Sequence, residues 1–146
     1  MLVFRNIEET DVSGIAELER NIFSDAWTSK SIAETIKQPQ AFITVAEENG
    51  EIAGYCIIYY VLDEGEIARI AVNERWRRRG VGRRLFDYTC ECCREKHVER
   101  LLLDVRESNE SARAFYKNYG FEEDGIRKNF YAEPREHAVL MSKTLA

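Results

Sequence analysis

A chain of 146 residues, 45% hydrophobic and 32% charged, has the length of one globular domain (1–146) and enough apolar material for one core. Its longest apolar run, residues 55–62, is too short to cross a bilayer, and no basic start followed by an apolar block marks a secretory signal. The expectation is therefore a cytoplasmic protein without a membrane partner. The net charge of −5 argues against general nucleic-acid binding, yet it is unevenly spread. Residues 75–84 hold six of the 21 basic residues and no acidic ones, leaving fifteen basic against 26 acidic residues elsewhere. A basic island on an acidic body suits a small polyanion better than a long duplex track. Of the cysteines, Cys56, Cys90, Cys92 and Cys93, three lie within four residues and none has zinc-finger spacing to a second pair. Reduced, packed thiols in a reducing compartment are expected.

Residues 2–5 read as a first strand. Thr10 or Asp11 can cap a helix whose apolar face is Val12, Ile15, Leu18 and Ile22. Trp27 then sits between two helices among small polar residues, either as a core plug or as the wall of a substrate groove. Thr28 or Ser29 caps a short helix carrying Ile32 and Ile36, which stops before Pro39. Residues 41–47 alternate as a strand, Asn49-Gly50 is a hairpin signal, residues 51–62 return, and a turn at residues 63–65 leads into a strand over 66–72. A charged turn and two glycines, Gly80 and Gly82, precede a helix from Val81 to about His97. Residues 100–106 form a strand reached by a helical crossover, which makes it parallel to the 66–72 strand. Ser108-Asn109 caps a helix with Ala112, Phe115, Tyr116 and Tyr119 on one stripe, and Gly120 ends it. A last hairpin is predicted from residues 121–126 and 136–145 around a polar loop at 132–135. The class is α+β: a mixed central sheet, antiparallel on its N-terminal side, with four helices.

The stretch around which the rest is organised is residues 68–85. A strand containing Ile70, Ala71 and Val72, an Arg-plus-Gly turn, and a helix start together make an anion site. Glycines let backbone approach without a Cβ, the free N–H groups of the helix start point at bound charge, and Arg77, Arg78 and Arg79 add donors suited to phosphate. The spacing Arg77-x-x-Gly80-x-Gly82 is neither the dinucleotide fingerprint nor a nucleotide-hydrolase loop, which requires Gly-Lys-Ser/Thr. A solvated basic helix start and an arginine patch for nucleic acid are the alternatives to a coenzyme site.

That signature resembles the pyrophosphate-binding turn of the GCN5-related N-acetyltransferase (GNAT) superfamily. Leu103-Asp104-Val105-Arg106-x-Ser108-Asn109 followed by Ala112, Tyr116 and Gly120-Phe121 is similar to the second half of that family. The resemblance covers essentially the whole chain. Within the family the pattern resembles the RimI type, which acetylates the α-amine of a protein N-terminus, through Ala26-Trp27, Ile70-Ala71-Val72 and Arg127-x-Asn129-Phe130-Tyr131. The resemblance implies a GNAT fold with its parallel strand pair splayed at the cofactor site, acetyl-CoA as acetyl donor, no metal, and a protein N-terminus as acceptor, such as a small-subunit ribosomal protein beginning with alanine.

Residue by residue, the resemblance assigns the acetyl carbonyl to backbone N–H groups at Ile70, Ala71 and Val72. It assigns the pyrophosphate to the turn formed by Arg77, Arg78, Arg79, Gly80, Val81 and Gly82, and the pantetheine arm to Asn109. Asp104 would be the base, acting through water, and Tyr116 the acid that protonates the leaving sulfur. Trp27 and Tyr131 would line the acceptor groove. Two departures stand out: Asp104 replaces the Glu of the type, and Glu136-His137-Ala138 stands where the type has Glu-Asp-Ala. Without the family, Asp104 reads equally as the partner of Arg106 or Arg69, and Tyr116 as a core residue. His97 and His137 suggest no metal site. A GNAT acting on a small amine or a lysine, and a non-enzymatic coenzyme or RNA binder, are the competing functions.

Overall fold

The computed structural model describes residues 1–145, which form seven strands and four α-helices. The strands are β1 (Val3–Asn6), β2 (Ala41–Glu48), β3 (Glu51–Val61), β4 (Glu64–Val72), β5 (Arg100–Arg106), β6 (Glu122–Ala132) and β7 (Arg135–Thr144). The helices are α1 (Val12–Ile22), α2 (Ser29–Ile36), α3 (Val81–Glu95) and α4 (Glu110–Asn118). The sheet order is β1-β2-β3-β4-β5-β7-β6, and every neighbouring pair is antiparallel except β4 with β5. The class and element order are those expected.

Alternation along the strands divides the core into two layers. Ile43 and Val45 of β2, with Tyr55 and Ile57 of β3, pack against Ile15 and Leu18 of α1 and Ile32 of α2. Cys56 and Ile58 of β3, with Leu101, Leu103 and Val105 of β5, pack against Val81, Leu85, Phe86 and Cys93 of α3 and Tyr116 of α4. All four cysteines are buried and unbridged. Burial pushes the Cys90 and Cys93 thiols up to about 11 and about 12, the direction of inert, packed thiols.

Several boundaries differ from the sequence reading, each for a local reason. Asp11 does not cap α1; its carboxylate accepts the Glu8 N–H at 2.7 Å and pairs with Arg5 at 2.7 Å, closing a 3-10 turn, Glu9–Asp11, ahead of the helix. Thr28 does cap α2, its hydroxyl accepting the Ser31 N–H at 3.1 Å. The β3–β4 turn is tighter than predicted: Leu62 takes φ 56°, and Gly65 lies inside β4. Glycine is needed there by packing, because a Cβ would meet the Leu101 side chain at 3.0 Å and the Val98 side chain at 3.2 Å. A second 3-10 turn, Glu74–Trp76, buries Trp76, whose indole donates to Glu48 at 3.0 Å. α3 ends at Glu95, since His97 takes φ 65°. β6 runs on to Ala132 through an irregularity between Arg127 and Tyr131.

Gly54 of β3 lies where a Cβ would stand 2.8 Å from the Ala71 carbonyl oxygen, a backbone atom that cannot step aside alone. Gly54→Ala should therefore force β3 and β4 apart and destabilise the fold by about 1–3 kcal/mol, as overpacking does. Urea unfolding of the variant measures this, and an unchanged midpoint would show that the two strands yield freely.

Candidate active site

Only the first three residues of β4 pair with β5: Glu64 with Arg100, Gly65 with Leu101 and Glu66 with Leu102. The register between β3 and β4 slips at Ile57 and Ile58, which face Arg69 and Ile67, so Ala68 is an extra residue in β4. A bulge of this kind bends its strand and increases the local twist. It falls two residues after the last β4–β5 pair, and from there the strands diverge. The gap is a cleft of about 430 Å³, lined by Phe23, Asp25, Arg69, Asp104, Tyr116 and Tyr131 among others.

The backbone that faces this gap follows from the antiparallel ladder. Asn73 donates to the Ala53 carbonyl at 2.7 Å, so alternation turns the Ala71 amide towards β3 and the Ile70 and Val72 amides towards the gap. The Val72 carbonyl agrees, since it accepts the Arg77 Nε at 3.2 Å rather than a β3 amide.

Asp104 lies on β5 between Leu103 and Val105, which are buried in the α3–α4 layer. Its side chain therefore leaves the sheet on the α1–α2 side. Both cations that could neutralise it are committed elsewhere. Arg106 pairs with Glu136 at 3.1 Å and lies 4.3 Å from the centre of the Tyr131 ring; Arg69 pairs with Glu19 at 3.0 Å and Asp25 at 3.2 Å. Among the described residues Asp104 makes no ion pair. Glu136 also accepts the Ser108 N–H at 2.6 Å, and these donors hold its carboxyl below the usual range. Burial, with Asp104 next in effect, raises the Tyr131 phenol.

Tyr116 is buried at 8% exposure, with its ring packed on Phe115 and Phe121. Its hydroxyl has no hydrogen-bond partner among the described residues, where no fully buried side-chain oxygen or nitrogen is left unsatisfied. The oxygen therefore reaches the cleft that the residue lines. Burial pushes its ionisation far upward, so it stays protonated at any physiological pH.

At the end of β4 the chain makes the turn into α3 with Arg78 at φ 66° and Gly80 at φ 73°, in the left-handed region. The first bond into the helix is from the Arg84 N–H to the Gly80 carbonyl at 3.1 Å. Among the described residues the amides from 78 to 83 have no backbone acceptor, and Arg77, Arg78 and Arg79 are exposed around them. A Cβ on Gly82 would meet only Phe115 and Val72 side chains at 3.5 Å, an ordinary contact, so the fold itself does not require glycine there. Asn109 caps α4, its Oδ1 accepting the Ala112 N–H at 3.1 Å, and also lines the cleft.

Two of the sequence-derived residues part company. Tyr131 lies in the cleft with Asp104, whereas Trp27 lines a separate groove with Tyr59, its ring 6.5 Å from that ring. Trp27 packs on the α1–α2 core layer, as a plug does. Sequence reasoning missed Glu19, which is fully buried, and the pairing of Arg69 with it rather than with Asp104. A signal existed: Glu19 sits between Ile15 and Ile22 on the apolar stripe of α1, where a carboxylate needs a partner. No group of three or more His, Cys, Asp or Glu side chains among the described residues is placed to hold a metal ion.

The sequence profile of the acetyltransferase (GNAT) family matches residues 12–121. The chain is 32% identical over 145 residues to an Escherichia coli (strain K12) protein named [ribosomal protein bS18]-alanine N-acetyltransferase, covering 97% of each. It is 38% identical over 142 residues to a Bacillus subtilis (strain 168) relative to which the same activity is provisionally ascribed, covering 97% of this chain and 94% of that one. The crystal structure of the ribosomal-protein-S18-alanine N-acetyltransferase from Escherichia coli superposes with a TM-score of 0.90 at 30% identity, over 100% of this chain and 95% of that one.

Proposed function

The chain belongs to the acetyltransferase (GNAT) family, and from that membership we propose that it moves the acetyl group of acetyl-CoA to the N-terminal α-amine of a protein, a ribosomal protein beginning with alanine or another small residue. The observation that carries this reading is the pair of groups in one cleft that are uncommitted among the described residues: a carboxylate without an ion pair and a protonated phenol without a hydrogen bond.

The residues fit the donor. Six successive amides that have no backbone acceptor among the described residues, three exposed guanidinium groups and a glycine that packing does not demand would suit a pyrophosphate. Asn109 lines the cleft and would hold the pantetheine arm. When bound, acetyl-CoA supplies a thioester whose carbonyl carbon accepts the amine and whose thiol departs. The Ile70 and Val72 amides would donate to the carbonyl oxygen as it gains charge. Asp104 would take the amine proton through a water molecule, and Tyr116 would give its hydroxyl proton to the sulfur. Tyr131 would line the acceptor side.

The shorter carboxylate favours an α-amine. Such an amine has a pKa of about 7.7–8.0, against about 10.4 for lysine, so at pH 7.5 about a third of it is neutral compared with about 0.1% of a lysine. A base working at a distance costs far less with the first than with the second.

Three measurements test the reading. Gly82→Asp would set a negative side chain against the pyrophosphate while favouring the helix start, so acetyl-CoA affinity should fall by more than about tenfold in a folded protein. Calorimetry within twofold of wild type would remove the site. Tyr116→Phe should lower kcat by about 10²–10⁴-fold with little change in acetyl-CoA affinity or unfolding midpoint, since only an unbonded hydroxyl is lost; turnover within about threefold would make Tyr116 a core residue.

For the acceptor, peptides beginning with a small residue should be acetylated at the α-amine far faster than lysine side chains, with the acetyl group located by mass spectrometry. kcat/KM should rise with pH to the amine's own pKa near 8, and Asp104→Ala should cost less at pH 9 than at pH 7. Modification mainly on lysine, or spermidine outrunning every N-terminal peptide, would assign the chain another acceptor.

A further inference from the structure

The acceptor side of the cleft is walled by the segment between α1 and α2, and one side chain of β4 fastens that wall. Arg69 follows the Ala68 bulge. Its Nε and Nη2 donate to the Glu19 carboxylate at 3.0–3.3 Å, and Nη2 also donates to the Asp25 carbonyl at 3.1 Å and to its Oδ1 at 3.2 Å. The guanidinium carbon lies 3.7 Å from the centre of the Phe23 ring. Glu19, buried at 0% exposure, in turn accepts the Trp27 N–H at 2.9 Å and the Tyr55 hydroxyl. Three residues of the segment, Phe23, Asp25 and Trp27, thus converge on a single ion pair. Two of them, Phe23 and Asp25, line the cleft.

That pair is anchored at an informative place. Arg69 immediately precedes the residues whose amides face the gap, Ile70 and Val72, on the strand that the bulge has turned away from β5. The same backbone bend therefore opens the gap and points the guanidinium at the α1–α2 segment. A planar fork satisfies two carboxylates, a carbonyl and an aromatic face at once; a lysine ammonium has neither the plane nor the reach.

We propose that Arg69 is a positioning residue for the acceptor: it fixes the width of the acceptor groove relative to the acetyl-facing amides by tying the 23–27 segment to β4. The inference rests on the acetyl-transfer reading of the cleft. A group that only stabilised the fold would not distinguish acceptor from donor, whereas this geometry does, because the donor cradle at residues 78–83 shares no tether with Arg69.

The test compares Arg69→Lys, which keeps a cation beside Glu19 but loses the fork, with Asp25→Ala, which removes a rim carboxylate 79% exposed and so spares the fold. The acceptor is whichever amine the wild type turns over best. A failure of the N-terminal reading then shows in the wild type, and a failure of this inference shows only in the variants. In Arg69→Lys the acceptor KM should rise about tenfold or more, with kcat at saturating acceptor within about threefold and the acetyl-CoA dissociation constant within about twofold. Asp25→Ala should shift KM the same way by about threefold, and amide exchange of residues 23–28 should quicken in both. An acceptor KM within twofold of wild type, or parallel loss of kcat, acceptor KM and donor affinity, overturns the proposal. If Arg69→Lys does not fold, the Asp25→Ala result decides alone.

Discussion

The parting of β4 from β5 after three residue pairs is the constraint on which the site depends. A sheet normally pairs every backbone donor and acceptor along its interior strands, and leaving several unpaired in the middle is costly unless something else satisfies them. Here the Ile70 amide lies on a strand residue that lines a cleft, and the Val72 amide turns to the same side of β4. The gap is created by one extra residue, Ala68, and kept open by what packs around it: Tyr116 from the α4 side, the α1–α2 segment from the other. The strands stay together at their beginnings because Gly65 lets Leu101 and Val98 come close.

Electrostatics divides the same space. Exposed guanidinium groups and free amides gather where α3 begins, whereas around Asp104 each cation already has a carboxylate: Arg69 has Glu19 and Asp25, and Arg106 has Glu136. Glu19 is the costly member. A fully buried carboxylate is tolerable only with partners, and it has the Arg69 fork, the Tyr55 hydroxyl and the Trp27 amide. Removing one side of such a pair typically costs about 3–5 kcal/mol. Its return is not net stability so much as geometry, since it joins a helix, a strand bulge and a loop through one centre, and commits the Arg69 guanidinium to itself rather than to Asp104.

Most of the fold was legible because its signals are local. The Asn49-Gly50 hairpin, the Thr28 cap, the α4 stripe and the crossover that makes β4 and β5 parallel all stand where short-range patterns put them. The misses concern residues whose role is set across the chain. Asp11 looks like a cap but answers Arg5; Gly65 looks like a turn but answers Leu101. The bulge at Ala68 leaves no local mark, because an extra residue in a strand of small and β-branched side chains breaks no visible alternation. In the site, the placement of the Arg-Gly turn ahead of α3 and of Tyr116 on the apolar stripe of α4 was readable from pattern. That Asp104 stands without an ion pair was not, since Arg69 and Arg106 are both near it in topology and only their long-range partners show where their charge goes.

The two proton-handling groups in the proposed reaction stand on opposite faces of the sheet, and this bears on why the reaction needs a gap at all. Alternation sends Asp104 to the α1–α2 side, while Leu103 and Val105 turn to the layer that contains Tyr116. Burial keeps the Tyr116 proton in place in the resting site, and in the proposed reaction the charge developing on the departing sulfur would draw it across. A carboxylate on the same face would accept a hydrogen bond from that phenol and hold it away from the sulfur. Separation by the thickness of one strand removes that competitor. In the proposed reaction it would also set the direction of approach: the amine would meet the carboxylate on one face, the thiol would leave towards the phenol on the other, and the acetyl group would pass between them where the strands have parted.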